Sequence, residues 1–289
     1  MNRKGIILVG GEGTRLYPIT LAIPKGLLPI YDVPMIYHSI CTLMLSNIKE
    51  ILIITSPEGS SRFRELLGDG SSWGLHIEYT TQAEPRGIAE ALILADDFLD
   101  GCPSALILGD NIFYGDGFSS KLEQVSQSNN NTVFAYRVED PERFGICEFN
   151  SDNKVISLEE KPSKPKSNFA VTGLYFYDGD APSYARDLTP SARGELEITD
   201  LNIKYMDNKE LFVETFGEGY TWFDAGTTKS FLDASTFSYT VESRQNVKVA
   251  CPEEIAFKKK LISADTVLKL AHNHKGNDYG KYLSKLVKS

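Results

Sequence analysis

Two fixed cations follow a glycine-rich turn near the start of this chain. The apolar run 6–9 ends in Gly10, Gly11 and Gly13, and Arg15 and Lys25 come next. Glycine leaves backbone N–H groups bare, so such a turn can cup an anion. Arginine adds a planar donor fork and lysine a point charge, a combination suited to a polyphosphate. The turn is not a Walker A loop, because no Gly-Lys-Ser/Thr follows at the required spacing. It is not a dinucleotide fingerprint either: after Gly11 and Gly13 the third glycine would fall at position 16, which is Leu16. Two carboxylates stand in similar settings. Asp110 follows the apolar run 106–108 and Gly109, and Asp224 follows 220–223. If they meet in space they offer hard oxygens to Mg²⁺, with phosphate oxygens completing the shell. Taken singly, an aspartate after a strand is more often a turn former or helix cap.

The elements that position these residues are legible in outline. Helical patterns at 35–44, 62–67, 88–98 and 121–128 alternate with β runs at 49–55, 75–81, 105–108 and 132–137. This alternation predicts an α/β fold, a mainly parallel central sheet with helices on both faces. Ligands then sit beyond the carboxyl ends of the strands. Residues 10–15, 82–87 and 109–111 all follow strand ends and are expected on one rim. The second half predicts a hairpin from 145–150 and 155–160, a strand at 171–177, helices at 181–188 and 197–206, and strands at 211–216 and 220–223. That is a smaller α+β lobe expected to close over the rim. From Thr228 the pattern is helical, with breaks at Pro252, near Ser263 and at Gly276. These last helices are expected on the core or at a subunit contact. The chain is therefore read as one domain in three parts, 1–140, 141–227 and 228–289.

Composition narrows the partners. The 289 residues carry a net charge of −9, which argues against a nucleic-acid polymer but not against a nucleotide, since that needs only local cations. The densest basic run, residues 258–260, reads as a solvated helix face. Cys41, Cys102, Cys147 and Cys251 are scattered, with no Cys-x-x-Cys, so zinc is not expected and the thiols read as reduced and cytoplasmic. Arg3 and Lys4 precede only a six-residue apolar stretch, so no secretory leader is expected. No run approaches the roughly 20 apolar residues of a membrane span.

The glycine loop, with Lys25 in a Lys-x-Leu-Leu-Pro setting, resembles the signature of sugar-1-phosphate nucleotidyltransferases. Longer motifs sharpen the resemblance: residues 31–37, 67–70, 109–115 (Gly-Asp-Asn-Ile-Phe-Tyr-Gly), 157–162 and 190–200 (Pro-Ser-Ala-Arg-Gly-Glu-Leu-Glu-Ile-Thr-Asp). Together they resemble the glucose-1-phosphate thymidylyltransferase family from end to end. The resemblance implies a three-layer nucleotidyltransferase fold, a nucleotide-binding half followed by a sugar-binding half, and a Mg²⁺-dependent transfer from dTTP to glucose 1-phosphate. Such an enzyme supplies dTDP-deoxysugars such as dTDP-rhamnose, and it is typically a homotetramer. It implies Arg15 and Lys25 on the leaving pyrophosphate, Lys161 and Arg193 on the sugar phosphate, and Asp110 and Asp224 on the metal. Leu8, Gly10, Gly11, Gly13, Thr14, Pro85 and Gly109 would surround the nucleotide. Gln82 and Gly87 would read thymine, the amide pairing with the base edge and the glycine letting the base approach. Glu160 and Gly145 would meet sugar hydroxyls, with Val171 and Tyr175 lining the same pocket.

Departures from the family pattern are Val9 for a usual alanine, Val33 for lysine and Ala225 for threonine, all beside the pocket. Three others fall in the family's second, regulatory nucleotide site: Glu218 for arginine, Ser119 for histidine and Lys258 for arginine. Tyr114, Gly115, Glu254 and Ile255 retain that site's pattern. Rival readings are the same enzyme using UTP, a nucleotide-sensing subunit without catalysis, and a hydride-transferring dinucleotide enzyme. The intact cations and aspartates weigh against the second, and the failed fingerprint against the third.

Overall fold

The computed structural model describes residues 2–11 and 13–288. Strand β1 (Lys4–Val9) leads through short 3₁₀ turns to a small hairpin, β2 (Pro29–Ile30) and β3 (Val33–Pro34), and then to helix α1 (Ile36–Leu45). Next come β4 (Glu50–Thr55), α2 (Ser60–Leu67) and β5 (His76–Thr81). The segment expected as one helix over 88–98 forms two, α3 (Glu90–Leu94) and α4 (Asp96–Leu99). Its start is delayed because Leu196 engages this backbone first. Leu196 N donates to the Arg86 carbonyl at 2.7 Å, and Ala89 N donates to the Leu196 carbonyl at 3.2 Å.

The chain continues with β6 (Ser104–Leu108), β7 (Asn111–Gly115), α5 (Phe118–Gln127) and β8 (Asn131–Arg137). The expected hairpin is β9 (Gly145–Phe149) with β10 (Val155–Glu160), followed by β11 (Phe169–Tyr177), α6 (Ala181–Arg186) and α7 (Ile198–Asp207). Strands β12 (Leu211–Phe216) and β13 (Tyr220–Asp224) precede the helices α8 (Thr228–Gln245), α9 (Pro252–Lys258), α10 (Ala264–Asn273) and α11 (Asp278–Leu286). The breaks lie where the sequence puts them: Pro252 opens α9, and the Ser263 hydroxyl caps α10 by accepting from Thr266 N.

In the nine-stranded sheet β5, β4, β1 and β6 lie side by side and parallel, with Ile6 opposite Leu52 on one flank and Leu106 on the other. The chain winds outward from β1 to β5 and returns to the far side of β1. The topological switch point, where such sheets bind ligands, therefore lies between β1 and β6. Beyond β6 the sheet is mixed: β11 runs antiparallel to β6 and carries β8 and β9, so strands of the second half extend the same sheet. Strand β13 does not join it. It pairs antiparallel with β7, Asp224 opposite Asn111 and Tyr220 opposite Gly115.

Alternation along β1 sends Ile7 and Ile6 into the cores on the two faces. One core takes Ile40 of α1, Phe63 of α2 and Leu122 of α5, and the other takes Leu92 of α3 and Leu201 and Tyr205 of α7. The terminal helices pack on α1 through Cys41, Cys251, Val267 and Leu283. The four cysteines are unpaired. No helix of the described residues is long and apolar enough to cross a membrane.

Candidate active site

One cleft opens at the carboxyl ends of β1 and β6. Its first chamber, about 410 Å³, is lined by Leu8, Val9, Gly11, Gly13, Thr14, Arg15, Lys25, Gly109 and Asp110. Its second, about 420 Å³, is lined by Gln82, Pro85, Gly87, Gly145, Glu160, Lys161, Val171, Tyr175 and Arg193. Leu8, Gly11, Arg15 and Glu195 line both chambers. Gly10 lies behind the wall, where a Cβ would stand 3.3 Å from Gln82 Oε1.

The pairing of β7 with β13 unites the two aspartates. Ala225 N donates to the Asp110 carbonyl at 2.9 Å, which ties the ends of the two strands together. Asn111 then aims the Asp110 side chain. Its Nδ2 donates to Asp110 Oδ1 at 2.9 Å, while its Oδ1 accepts from Trp222 Nε1 at 2.7 Å and from Gly173 N at 2.9 Å. Lys25 forms an ion pair with the other Asp110 oxygen.

The two carboxyls titrate in opposite directions. Burial would push Asp110 up, but Lys25, Asn111 and Arg15 outweigh it and hold the group below the ordinary carboxylate range. Burial raises Asp224, and the neighbouring Asp110 charge adds to it, against weaker pulls from Lys25, Arg15 and Arg143. Two crowded carboxylates of this kind are a good receptor for a divalent cation. Among the described residues no group of three or more His, Cys, Asp or Glu could hold a metal. A cation bound by two carboxylates and by substrate phosphates fits this donor set.

Arg15 reaches the same point from the glycine turn. A Cβ on Gly226 would meet Arg15 Nη2 at 2.8 Å and Asp224 Oδ1 at 2.9 Å, so the bare glycine leaves room for both groups. At the other end, Gln82 Nε2 donates to the Gly87 carbonyl at 3.1 Å and to Glu90 Oε2 at 2.7 Å. Among the described residues no donor reaches its Oε1. Gly87 has φ +104, and a Cβ there would lie 2.3 Å from the Leu196 carbonyl oxygen. The close neighbour that demands glycine at this position is thus the protein's own Leu196 backbone.

Lys161 and Arg193, two cations of the second chamber, are each held by a carboxylate. Lys161, with φ +44, is 3.3 Å from Glu160 Oε1, and Glu160 Oε2 accepts from Thr199 Oγ1 at 2.6 Å. Arg193 Nη2 donates to both oxygens of Glu197, at 2.8 and 2.9 Å, and lies 3.4 Å from Glu195. Residues far apart in sequence thus form a cleft with cations in both chambers and a pair of aspartates beside the first.

A model of the nucleotidyl transferase family matches residues 4–240. A glucose-1-phosphate thymidylyltransferase of Xanthomonas campestris pv. campestris is 53% identical over 99% of this chain and 97% of its own length. The chain belongs to the glucose-1-phosphate thymidylyltransferase family. A relative of that name from Mycobacterium tuberculosis is 46% identical over 98% of this chain and 99% of its own. A crystal structure described as a thymidylyltransferase of this type from Bacillus anthracis, in complex with sucrose, superposes with TM-score 0.75 at 43% identity, covering 81% of this chain and 94% of that one. A UDP-glucose pyrophosphorylase shares the fold, with TM-score 0.74 at 23% identity over 83% of this chain.

Every position that the resemblance to this family assigns to nucleotide, sugar phosphate or metal lies in the cleft or against it. The sequence reading missed Asn111, Arg143, Glu195, Glu197, Thr199 and Asn202. Asn111 carried a signal, since it directly follows Asp110; Arg143 sits in a loop with none. The departures sort by burial. Val9 lines the first chamber, whereas Val33 and Ala225 are buried in the core.

The positions resembling the family's regulatory site fall in two groups. Tyr114 and Gly115 lie on β7, beside the exposed turn that carries Glu218. Tyr114 Oη donates to Gln245 Oε1 at 3.0 Å. Glu254, Ile255 and Lys258 lie on α9. Lys258 pairs with Glu254 at 2.6 Å, and Tyr282 Oη donates to Glu254 Oε2 at 2.7 Å. Ser119 lies on α5, one turn from Glu123, which bridges to Lys259 beside Lys258 at 2.7 Å.

Proposed function

We propose that this enzyme transfers a thymidylyl group from dTTP to α-D-glucose 1-phosphate, releasing pyrophosphate. The observation that carries this reading is the two-chambered cleft, with Lys25 and Asp110 in the first chamber, Lys161 and Arg193 in the second, Arg15 lining both, and Asp224 brought to Asp110 by the β7–β13 pairing. An oxygen of the sugar phosphate attacks the α-phosphorus in line with the departing pyrophosphate. The nucleophile is already an anion, so no activated serine or cysteine and no general base is needed. Catalysis rests on alignment and on charge stabilisation. Arg15 and Lys25 hold the leaving pyrophosphate. Lys161 and Arg193 bring in the second anion against the repulsion of the first, giving up their carboxylate partners to do so. Glu160, steadied by Thr199, is free to accept from sugar hydroxyls.

Asp110 and Asp224 would hold Mg²⁺, which neutralises charge on the triphosphate when bound. Lys25 then shares Asp110 with the cation. Gln82 Oε1 accepts from the base N3–H, a donor common to thymine and uracil. That favours a second reading in which UTP is also used, since one methyl group is worth only about 1–3 kcal/mol of discrimination.

By the same resemblance the enzyme is a homotetramer of the cytoplasm that feeds dTDP-deoxysugar synthesis, including sugars of lipopolysaccharide O-antigen. Pyrophosphate release with dTTP, UTP, ATP and GTP, each against a panel of sugar 1-phosphates, tests the reaction. Fastest release with dTTP and glucose 1-phosphate is expected. No release with that pair overturns the reading. Light scattering of the purified protein tests the tetramer.

A further inference from the structure

Arg143 is the one cation lining the second chamber that has no role in the reading above. It ends a short turn, Pro141–Arg143, that leads into β9. Its Nη1 donates to Asp140 Oδ2 at 2.6 Å, and its guanidinium lies 5.3 Å from the centre of the Phe144 ring. Asp140 and Phe144 therefore hold a long, half-exposed side chain in one orientation, which reduces the entropy lost when it meets a ligand.

Phe144 is itself anchored. Its ring packs on Trp222, 5.3 Å between centres, and Trp222 donates to Asn111 beside Asp110. Its carbonyl accepts from Lys161 N at 3.0 Å. The Arg143 turn and Lys161 are thus tied backbone to backbone, and both side chains line the second chamber.

The chambers differ in one useful respect. Arg15 lines both, whereas Arg143 lines only the second. Lys161 and Arg193, assigned to the sugar phosphate, share the second chamber with Arg143, whereas Lys25 and Gly13, assigned to the triphosphate, line only the first.

Building on the reaction proposed above, we propose that Arg143 is a further binding residue for the phosphate of the sugar phosphate, set beside Lys161 by the Phe144–Lys161 backbone contact. A guanidinium there offers a fork of donors to a dianion, and it adds positive charge where the two anionic substrates are driven together.

The test is steady-state kinetics with each substrate varied in turn for the unmodified enzyme, Arg143→Ala and Arg143→Lys. Arg143→Ala should raise KM for glucose 1-phosphate about tenfold, the lower range for losing a charged hydrogen bond at a half-exposed site. KM for dTTP should stay within about a factor of two, since the triphosphate is assigned to the first chamber, which the side chain does not line, and the neutral base offers a guanidinium no anion. Arg143→Lys should recover part of the loss, because it keeps the charge and loses the fork. Added salt should raise KM for glucose 1-phosphate more in the unmodified enzyme than in Arg143→Ala. An unchanged KM for glucose 1-phosphate in Arg143→Ala, or an equal rise for both substrates, overturns the proposal. Failure of the unmodified enzyme to release pyrophosphate would instead overturn the reaction on which it rests.

Discussion

The Lys25 ammonium is ion-paired with the Asp110 carboxylate, on the oxygen that Asn111 leaves free. On the proposed reaction, the cation for the leaving group is thus stored on a carboxylate for the metal. Asp110→Asn and Asp224→Asn should each nearly abolish turnover, because neither amide can neutralise a divalent cation. Chelation should stop the unmodified enzyme, and Mg²⁺ should restore it. A crystal with nucleotide and metal in which the two carboxylates stand more than about 6 Å apart would sink the shared site, since Mg²⁺–oxygen distances are roughly 2.0–2.1 Å.

Arg15 should act mainly on the transition state. Its guanidinium lies beside Asp224 over Gly226 and lines both chambers, and on the proposed reaction charge develops there as pyrophosphate leaves. Arg15→Ala is expected to lower kcat by on the order of 10²–10³, as loss of one charge-stabilising donor does. Sugar-phosphate KM should hardly change. If kcat held within about a factor of three while only nucleotide KM rose, Arg15 would be a ground-state binding residue.

His38 sets an acid limit on stability. It lies in α1 with Nε2 buried and unpartnered among the described residues, and burial pushes its pKa down to about 4. An unfolded histidine titrates near 6.5, so between the two values the unfolded chain binds more protons and stability falls as pH drops. Moving from about pH 7.5 to about pH 5 should cost roughly 2 kcal/mol through this residue. Urea unfolding of the native protein and of His38→Gln at both pH values measures it. Equal losses in the two proteins would show that His38 is not the cause.

Glu218 should weaken feedback at the second nucleotide site implied by family resemblance. It lies exposed in the turn before β13, two residues ahead of Tyr220, which pairs with Gly115, at a position where the family pattern has arginine. Opposed unit charges at about 4 Å are worth roughly 1 kcal/mol in water and more when partly desolvated. Reversing the sign costs at least about twice that, or more than about a tenfold loss of affinity for a diphosphate. Inhibition by dTDP-rhamnose should therefore be weak or absent, and Glu218→Arg should strengthen it without changing kcat. Tight inhibition of the unmodified enzyme away from the cleft would mean that this turn does not face the phosphates.

The amino-acid sequence by itself determined the parts whose causes are local. Three glycines after a buried strand marked a turn at the strand's carboxyl end, and apolar periodicity marked the strands and the terminal helices. Pro252, Ser263 and Gly276 ended or opened helices through fixed φ, a hydroxyl cap and a left-handed backbone. The tertiary structure decided what depends on register between distant segments. Periodicity names Tyr220–Asp224 as a strand, but nothing in it says that its partner is Asn111–Gly115, and that pairing brings Asp224 to Asp110. The same holds for Gly87, whose glycine is required by the Leu196 backbone, and for Arg143, whose place in the cleft comes from the Phe144–Lys161 contact. Side chains on separate elements meet only after the sheet has chosen its neighbours, so spacing along the chain carries no record of such contacts.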